Sequence, residues 1–319
     1  MLIQSLPNVI IAGVIKGATS SLYTYLSWHP SICASRRKET NYFLALLQDK
    51  SLQPIETYKD YFGHCQKGCF KYLMEATPQY IYGGEVLAKA IYETLGLIKI
   101  IFILRDPITR LHSYYHHIRR SDFAGAIGSI SFEEYVIIAL REFNKIAKSK
   151  RFINIYKDNV FIGGIAGGLY ADYLSSWYSI FRDSIKVSFF ENLKDDPLLV
   201  MSEICDWLEL DSTIYKNCEF NIENRNIKPK IKLLHQIALI TNTRLEIFLR
   251  SRYKLKVLLR DMYCFFNESK KSELSLSSST YKELQSFYEP HNNNLIKMLH
   301  LNGHQNVPYW LNRDKNMIV

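Results

Sequence analysis

Runs of apolar residues, separated by short polar stretches, divide the chain into alternating strands and helices. The two strongest runs, Val9–Ile15 and Ile98–Leu104, are rich in β-branched residues and predict buried strands. Shorter runs predict three further strands, at 31–34, 70–74 and 185–190. Apolar residues at helical spacing predict helices at 19–28, 85–95, 108–120, 132–143, 169–181, 198–208 and 283–301. This alternation predicts an α/β fold with three layers, in which helices flank a mostly parallel central sheet.

The first strand ends at Lys16-Gly17, and Thr19 opens the helix that follows. A strand, a turn of small residues and a helix N-terminus form an anion site, because backbone N–H groups and the positive end of the helix dipole converge there. Lys16 adds an ammonium group, and Thr19, Ser20 and Ser21 add three hydroxyls. The turn is P-loop-like, but Lys16 precedes its glycine, so the Walker A order is absent. An ordinary strand–helix connection is the alternative.

The strand at 98–104 leads directly into Arg105-Asp106-Pro107. Asp106 suits the N-cap of the next helix, and Pro107 suits its first position. Arg105, at the carboxyl end of a strand, can bind a phosphate through two parallel hydrogen bonds, and Ser113 can complete the site. A structural ion pair between Arg105 and Asp106 is the alternative interpretation.

The segment 36–43 combines a cluster of charges with two aromatic residues. A solvated loop is the plain interpretation of such a cluster. The alternative is that Glu39 lies beside the anion site, because α/β proteins bind ligands at the carboxyl ends of neighbouring strands.

Three other patterns predict local structure without chemistry. Tyr58–Phe62 predicts part of an aromatic surface helix. The glycine-rich stretch Gly163–Gly168 predicts a plain turn before the helix at 169–181 rather than a nucleotide loop. The segment 121–129, which contains Gly125 and Gly128, predicts a mobile loop.

Composition and charge bound the class of protein. The chain has 319 residues, of which 47% are hydrophobic and 22% charged, and this composition is typical of a globular protein. We expect one domain over 1–319, with the basic segment 230–280 as a possible insertion within it. The net charge of +9 indicates an anionic partner but does not identify it. The basic residues of 230–266 predict either a solvated helix face or peripheral contact with a membrane surface.

The six cysteines are scattered along the chain, at 33, 65, 69, 205, 218 and 264. Such scatter favours buried thiols in a reducing compartment, so we expect a cytoplasmic protein. Cys65-x3-Cys69 has no second half elsewhere in the sequence, and we therefore expect no metal site. The apolar runs are too short for a membrane span.

Two segments resemble the donor-binding motifs of the sulfotransferases that use 3′-phosphoadenosine 5′-phosphosulfate (PAPS). The segment 11–22, followed by His29-Pro30, resembles their 5′-phosphosulfate loop, and the segment 103–113 resembles their 3′-phosphate motif. Three further matches resemble the glycan-directed branch, which contains the heparan-sulfate-type enzymes and their bacterial relatives. These matches are Lys38-Glu39-x3-Phe43, Glu75-x-Thr77-Pro78 and Tyr288-Glu289-Pro290-His291-Asn292. Together the motifs extend over most of the chain, from 9 to 311.

The resemblance implies in-line transfer of a sulfuryl group from PAPS to a hydroxyl or amine of an acceptor, either a saccharide or a glycolipid. It implies that Lys16 stabilises the leaving phosphate and that Glu39 is the general base. No metal is expected, because the transferred group has no phosphate chain to chelate. No nucleic acid partner is expected either. The implied PAPS-binding residues are Lys16, Gly17, Ala18, Thr19, Ser20, Ser21, Arg105 and Ser113.

The sequence departs from this family at three positions. Ala18 stands where glycine is usual. Asn41 and Ala76 stand where the heparan-sulfate enzymes carry a histidine and a lysine near the acceptor. If Glu39 is not the base, the histidines on the helix after Arg105 are the remaining candidates: His112, His116 and His117.

Two other classes of function remain open at this point. A nucleotide kinase would share the phosphate-loop topology, although the Walker A order and a clear Mg²⁺-binding partner are missing. A non-catalytic polyanion-binding protein would use the positive charge, although it would have no need for both Lys16 and Glu39.

Overall fold

A computed structural model of the chain describes residues 6–67, 69–119, 124–148, 159–220 and 277–312, together with the single positions 241 and 259. In these ranges five parallel strands form one sheet, in the order β2-β3-β1-β4-β5. The predicted α/β fold with a parallel central sheet is therefore confirmed. The strands are β1 (Val9–Gly13), β2 (Ile32–Ala34), β3 (Tyr72–Ala76), β4 (Lys99–Leu104) and β5 (Ile185–Phe189).

The helices connect these strands. Five short 3₁₀ segments accompany them, at Tyr42–Gln48, Asp60–Lys67, Tyr80–Gly83, Arg182–Ser184 and Ser212–Asn217. The α-helices of the described ranges are α1 (Thr19–Leu26), α2 (Ile55–Lys59), α3 (Gly84–Leu95), α4 (Pro107–Ile118), α5 (Ala124–Ile127), α6 (Phe132–Lys148), α7 (Val160–Ala166), α8 (Tyr170–Phe181), α9 (Phe190–Asp195), α10 (Pro197–Leu208) and α11 (Ser278–Leu301).

The sheet is covered on both faces because its strands carry apolar residues on both sides. Alternate residues of β1 and β4 join a core cluster with α1 and α10, whose members include Ile11, Ile103, Leu22 and Met201. On the opposite face, the Phe102 ring packs edge-on against Trp177 of α8, with 5.3 Å between ring centroids. A parallel sheet needs such cover, since its strands have no polar face to expose.

The order of the strands fixes where a ligand would bind. The chain builds β2 and β3 on one side of β1 and then crosses to the other side to form β4 and β5. Ile11 of β1 lies opposite Ala76 of β3 and Ile101 of β4. Because the strand order reverses at β1, the carboxyl end of β1 is the usual ligand position in such a sheet.

Two local predictions were wrong. Gly163–Gly168 is not a plain turn, because most of it belongs to α7, which Asn159 caps by accepting hydrogen bonds from Phe161 N and Ile162 N. A side chain at Gly164 would overlap the hydroxyl of Tyr135, so its glycine serves close packing between helices. The predicted loop at 121–129 contains the short helix α5, and 121–123 lie outside the described residues.

The aromatic segment at 58–62 is helical in part but does not lie on the surface. Tyr58 and Phe62 are buried, and the Tyr58 ring stacks on Tyr42 with 4.4 Å between centroids. Phe43 packs edge-on against Tyr58 in the same cluster. The aromatic side chains therefore form a small core beneath the segment that carries Glu39.

The prediction of buried thiols also needs correction. Cys33 of β2 and Cys65 of the 60–67 segment form a disulfide across 32 positions of sequence. Among the other described cysteines, Cys69 is exposed and Cys205 is buried. Cys264 lies outside the described residues.

The chain divides into two units, one formed by 1–223 with 277–319 and the other by 224–276. The basic region 230–266, for which the sequence predicts either a solvated helix face or peripheral contact with a membrane surface, lies outside the described residues except at 241 and 259. The possible insertion at 230–280 therefore stays a prediction.

None of the helices in the described ranges combines the length and apolarity that a membrane span requires.

The turn after β1 generates a first prediction. A Cβ at Gly17 would overlap the backbone carbonyl of Ile103 on β4, which cannot move without breaking the sheet. We expect Gly17→Ala to lower the free energy of unfolding by about 1–3 kcal/mol. Urea denaturation measures this, with Gly63→Ala as the matched control because a Cβ there meets nothing within 4 Å. Equal midpoints for the two variants would contradict the steric argument.

Candidate active site

The turn between β1 and α1 has an unusual backbone. Lys16 and Ala18 adopt left-handed conformations, with φ of 68° and 74°. For a residue with a side chain this conformation costs about 1–2 kcal/mol. The turn is held by hydrogen bonds from Val14 N to Ile103 O at 3.1 Å and from Gly17 N to Val14 O at 3.0 Å. Ala18 is the N-cap residue of α1, and its methyl group cannot accept a hydrogen bond from the helix as a serine or aspartate would.

The hydroxyls predicted for this turn are not equally accessible. Thr19 and Ser21 are buried, and Ser20 and Lys16 are half-buried. The side chains of Lys16 and Ser20 are therefore partly accessible to solvent. Thr19 and Ser21 can offer an anion mainly their backbone N–H groups at the start of α1.

Arg105 joins the end of β4 to this turn. Its Nη1 donates to the carbonyl oxygen of Lys16 at 3.2 Å, and its Nε donates to Thr109 Oγ1 at 3.1 Å. The guanidinium lies 4.2 Å from the centroid of the Phe190 ring. Burial lowers the pKa of Arg105, and the charge of Glu191 opposes that effect. The two predicted phosphate-binding segments are therefore in direct contact.

The predicted start of α4 is confirmed. Asp106 accepts hydrogen bonds from Ile108 N and Thr109 N, and Pro107 occupies the first turn. Ser113 is buried two turns further along this helix. Arg110, which belongs to the same sequence motif, points into the interior instead, where it donates to the carbonyl of Gly164. Arg110 therefore supports the helix packing rather than the ligand crevice.

Glu39 lies in a second strained turn at the same edge of the sheet. Its backbone has a φ of 64°, and its N–H donates to the carbonyl of Ala76, the last residue of β3, at 2.9 Å. Asn41, two residues later, has a φ of 60°. Because β3 pairs with β1, Glu39 is placed one strand away from the Lys16 turn.

The side chain of Glu39 has a close cationic partner. Lys38 Nζ lies 2.6 Å from Glu39 Oε1. The Glu39 side chain keeps 40% of its surface exposed, against 14% for Lys38. The carboxylate is therefore accessible to a ligand, while its ion pair fits the alternative that Glu39 only orients Lys38.

Tyr23 of α1 connects the two turns. Its hydroxyl donates to the carbonyl of Ser35 at 2.7 Å, and the Ser35 hydroxyl donates to the carbonyl of Arg37 at 2.8 Å. Both Tyr23 and Ser35 are buried, so the connection is protected from water. The helix that begins at the Lys16 turn is thus fixed against the segment that leads to Glu39.

Glu75 is a feature of this site to which the sequence assigned no role. It is fully buried on β3, and the Thr40 hydroxyl donates to its Oε2. The hydroxyls of Tyr58, Tyr80 and Thr77 also face the carboxyl group. Burial raises the pKa of Glu75 to about 7, against the effect of these hydroxyls. A glutamate inside an apolar strand, beside the tyrosines, was the signal that could have indicated a buried network.

The two turns together concentrate backbone strain at one place. Of the seven non-glycine residues with positive φ among the described residues, four belong to them: Lys16, Ala18, Glu39 and Asn41. Strained backbone persists where surrounding structure holds it, and it is common at ligand sites. The arrangement offers an anion-binding turn with a lysine and an arginine, and an accessible carboxylate one strand away. That combination suits the transfer of an anionic group to a hydroxyl or amine.

The fold agrees with the comparison with protein families. The model of the sulfotransferase domain matches residues 6–237, and the chain therefore belongs to the sulfotransferase family of enzymes. The resemblance noted in the sequence is confirmed at this level.

Individual relatives are more distant. A bifunctional heparan sulfate N-deacetylase/N-sulfotransferase of Drosophila melanogaster is 22% identical, and the alignment covers 98% of this chain but 28% of the relative. Bifunctional heparan sulfate N-deacetylase/N-sulfotransferase 3 of Homo sapiens is 24% identical, with 97% and 31% covered. The chain thus spans about a third of the length of these curated relatives. A sulfotransferase crystal structure from Alicyclobacillus acidocaldarius shares the fold, with a TM-score of 0.62, 20% identity and coverage of 95% of this chain and 98% of that one.

Glu75 generates a prediction on pH dependence. Its pKa is about 7 in the folded protein but near 4.5 in the unfolded chain, so the folded form holds a proton that the unfolded form has lost between these values. Stability should therefore fall as pH rises from 4.5 to 7. Glu75→Gln cannot titrate, so its free energy of unfolding should not show this fall. Relative to the wild type, the free energy of unfolding of the variant should rise by about 3 kcal/mol over that range.

Urea unfolding from pH 4.5 to 8 measures this difference. Glu93→Gln, at an exposed position of α3, is the control and should leave the wild-type profile unchanged. A difference between Glu75→Gln and wild type that stays constant with pH would show that the buried carboxyl group does not titrate in this range.

Proposed function

We propose that this enzyme transfers a sulfuryl group from PAPS to a hydroxyl or amine of a saccharide or glycolipid acceptor. The observation that carries the proposal is the contact between Arg105 and the Lys16 turn, with Glu39 anchored one strand away at the same edge. The similarity to heparan sulfate N-deacetylase/N-sulfotransferases supports a glycan-type acceptor.

The residues present fit the phosphate groups of PAPS. Gly17 lets the turn pack directly against the backbone of Ile103, and this packing fixes the backbone N–H groups at the start of α1. Ala18 leaves the start of α1 without a side-chain acceptor, and a bound phosphate can take that place. The 5′ side would be held by Lys16 and the backbone of Gly17 to Ser21. Arg105 and Ser113 would hold the 3′-phosphate, which distinguishes this donor from ATP.

The proposed mechanism assigns separate tasks to the two turns. PAPS, when bound, supplies the sulfuryl group. Lys16 offsets the negative charge that develops on the oxygen of the departing phosphate, in a half-buried position where such an interaction is stronger than in water. The Glu39 carboxylate accepts the proton that the acceptor hydroxyl or amine releases. The strained backbone of both turns keeps these groups in fixed positions, which lowers the entropic part of the barrier.

The proposed transfer uses no metal ion. The charge of the leaving group is met by an ammonium group, a guanidinium and a helix N-terminus, which together replace the cation that phosphoryl transfer uses. Lys38 stays in contact with Glu39 and holds its carboxylate in place.

Donor preference gives the first test of this function. Adenosine 3′,5′-bisphosphate (PAP) at about 100 times its Kd should raise the free energy of unfolding by about 2.7 kcal/mol, and ATP should raise it far less. Ser113→Ala should weaken the binding of PAP by about 1.5–3 kcal/mol, because it removes a hydrogen bond to a charged phosphate.

Urea denaturation with and without each ligand measures the first effect, and calorimetric titration with PAP and ATP measures the second. Ser179→Ala, at an exposed position of α8, is the control and should bind PAP as the wild type does. Equal binding of ATP and PAP would favour a nucleotide kinase. Unchanged PAP binding by Ser113→Ala would show that the 3′-phosphate is bound elsewhere.

A second test concerns Glu39. Glu39→Gln keeps the shape of the side chain but removes its basicity, so PAP binding should persist while sulfation slows by about 10²–10⁴-fold. Single-turnover rates with labelled PAPS measure this, after a screen of glycan and small-molecule acceptors has identified a substrate. Glu85→Gln is the matched control, because Glu85 forms a similar pair with Lys89 on the exposed face of α3. A loss smaller than tenfold would mean that Glu39 only orients Lys38.

A further inference from the structure

Three side chains with affinity for metals meet at the edge of the sheet, outside the site described above. Cys33 lies on β2, and His64 and Cys65 lie on the 60–67 segment. Their Sγ and imidazole nitrogen atoms all fall within 4.8 Å of one another. This cluster could not be predicted from the sequence, because Cys65-x3-Cys69 is the only close cysteine pair along the chain and the fold brings Cys33 to His64 and Cys65 instead.

The two sulfur-to-nitrogen distances within the cluster match those of a tetrahedral zinc site, whereas the two sulfur atoms are joined by the disulfide and separate only when it is reduced. His64 Nε2 lies 3.6 Å from Cys33 Sγ and 3.6 Å from Cys65 Sγ. With Zn–S bonds of about 2.3 Å and Zn–N bonds of about 2.05 Å, a tetrahedral angle separates sulfur from nitrogen by about 3.6 Å. The imidazole therefore already stands at ligand spacing from both sulfur atoms. A disulfide that only braced the fold would need no histidine at equal distance from its two halves.

Burial also fits a site with one open position. Cys33 and Cys65 are buried, whereas His64 is exposed. Two buried thiolates and an imidazole at the surface leave the fourth position accessible to water. Three protein ligands with one solvent position is a common arrangement for zinc.

We propose that Cys33, Cys65 and His64 form a redox-dependent site for Zn²⁺ or a similar divalent transition metal ion. A dithiol reductant transfers two electrons and two protons to the disulfide, which becomes two thiols while the reductant becomes a disulfide. The metal ion then displaces the two thiol protons and binds two thiolates and the His64 Nε2, with a water molecule as fourth ligand. A disulfide oxidant then accepts two electrons from the two thiolates and becomes a dithiol, while Cys33 and Cys65 form their disulfide again and the metal ion is released.

Either bridge closes the same segment of chain. The disulfide links β2 to the 60–67 segment, and the residues between them include Lys38, Glu39 and Thr40. A hydrogen bond from Arg36 N to Tyr61 O at 2.8 Å reinforces this closure. The metal would keep the segment closed under reducing conditions, in which the disulfide is lost. The site is independent of sulfuryl transfer and can be tested without a substrate.

Cobalt provides a direct spectroscopic test. The full-length chain, reduced with a phosphine, freed of metal and kept anaerobic, is titrated with CoCl₂. We expect one Co²⁺ per chain, with a sulfur-to-cobalt charge-transfer band and the visible bands of tetrahedral cobalt. Added ZnCl₂ should remove both sets of bands. The oxidised protein, with its disulfide verified by thiol counting, should show neither.

Variants separate this site from other metal-binding groups. His64→Asn leaves the disulfide intact, so its folding can be verified in the oxidised state, and it should weaken cobalt binding to the reduced protein by at least about tenfold. Cys33→Ser should remove the two-thiolate spectrum. Cys69→Ser is the matched control and should change nothing, since Cys69 is exposed and not one of the three ligands.

Three results would overturn the proposal. The reduced wild type could show no thiolate band, His64→Asn could bind cobalt as tightly as the wild type, or Cys69→Ser could lose the band. Cobalt binding without a thiolate band would indicate a different site, such as the pair His112 and His116, whose Nε2 atoms lie 3.1 Å apart.

Discussion

The hydrogen bond from Arg105 to the carbonyl of Lys16 ties the end of β4 to the turn after β1. This contact depends on the absence of a side chain at Gly17, which lets the turn lie directly against the backbone of Ile103. Burial lowers the pKa of Arg105, so an anion beside the guanidinium would stabilise its charged form. One interaction thus holds the turn in its strained conformation and completes the positive region around it.

The second turn depends on a different kind of support. The carboxyl group of Glu75 accepts a hydrogen bond from the Thr40 hydroxyl and so holds Thr40 in place. Thr40 is adjacent to Glu39. The tyrosines around Glu75 belong to the aromatic core beneath this segment. Tyr23 then connects the segment to α1. The position of the proposed base is therefore determined by buried polar contacts, whereas the position of the Lys16 turn is determined by backbone geometry.

The sequence predicted the features that depend on local pattern. The β-branched runs predicted β1 and β4, and the predicted cap at Asp106 was correct. Features that depend on distant partners were missed. The disulfide of Cys33 joins residues 32 positions apart, and no spacing rule reveals such a pair.

The same reason explains the other errors in the sequence-based predictions. Gly164 was interpreted as part of a turn, because glycine favours turns when nothing else is known. Its role is set by the hydroxyl of Tyr135 on another helix, and that contact exists only in the folded protein. Likewise, nothing in the pattern around Tyr58 distinguishes an exposed aromatic helix from one that is covered by Tyr42.

The strand order has a consequence for how this enzyme could diversify. The Lys16 turn follows the central strand, so changes to it are transmitted to both neighbouring strands and to the core. The segment that carries Glu39 follows β2, which is an edge strand held by its own covalent link and its own aromatic core. Insertions and substitutions at that edge can reshape the surface around Glu39 while the turn at the central strand stays intact. The architecture therefore separates a half that the sheet holds fixed from a half that tolerates change.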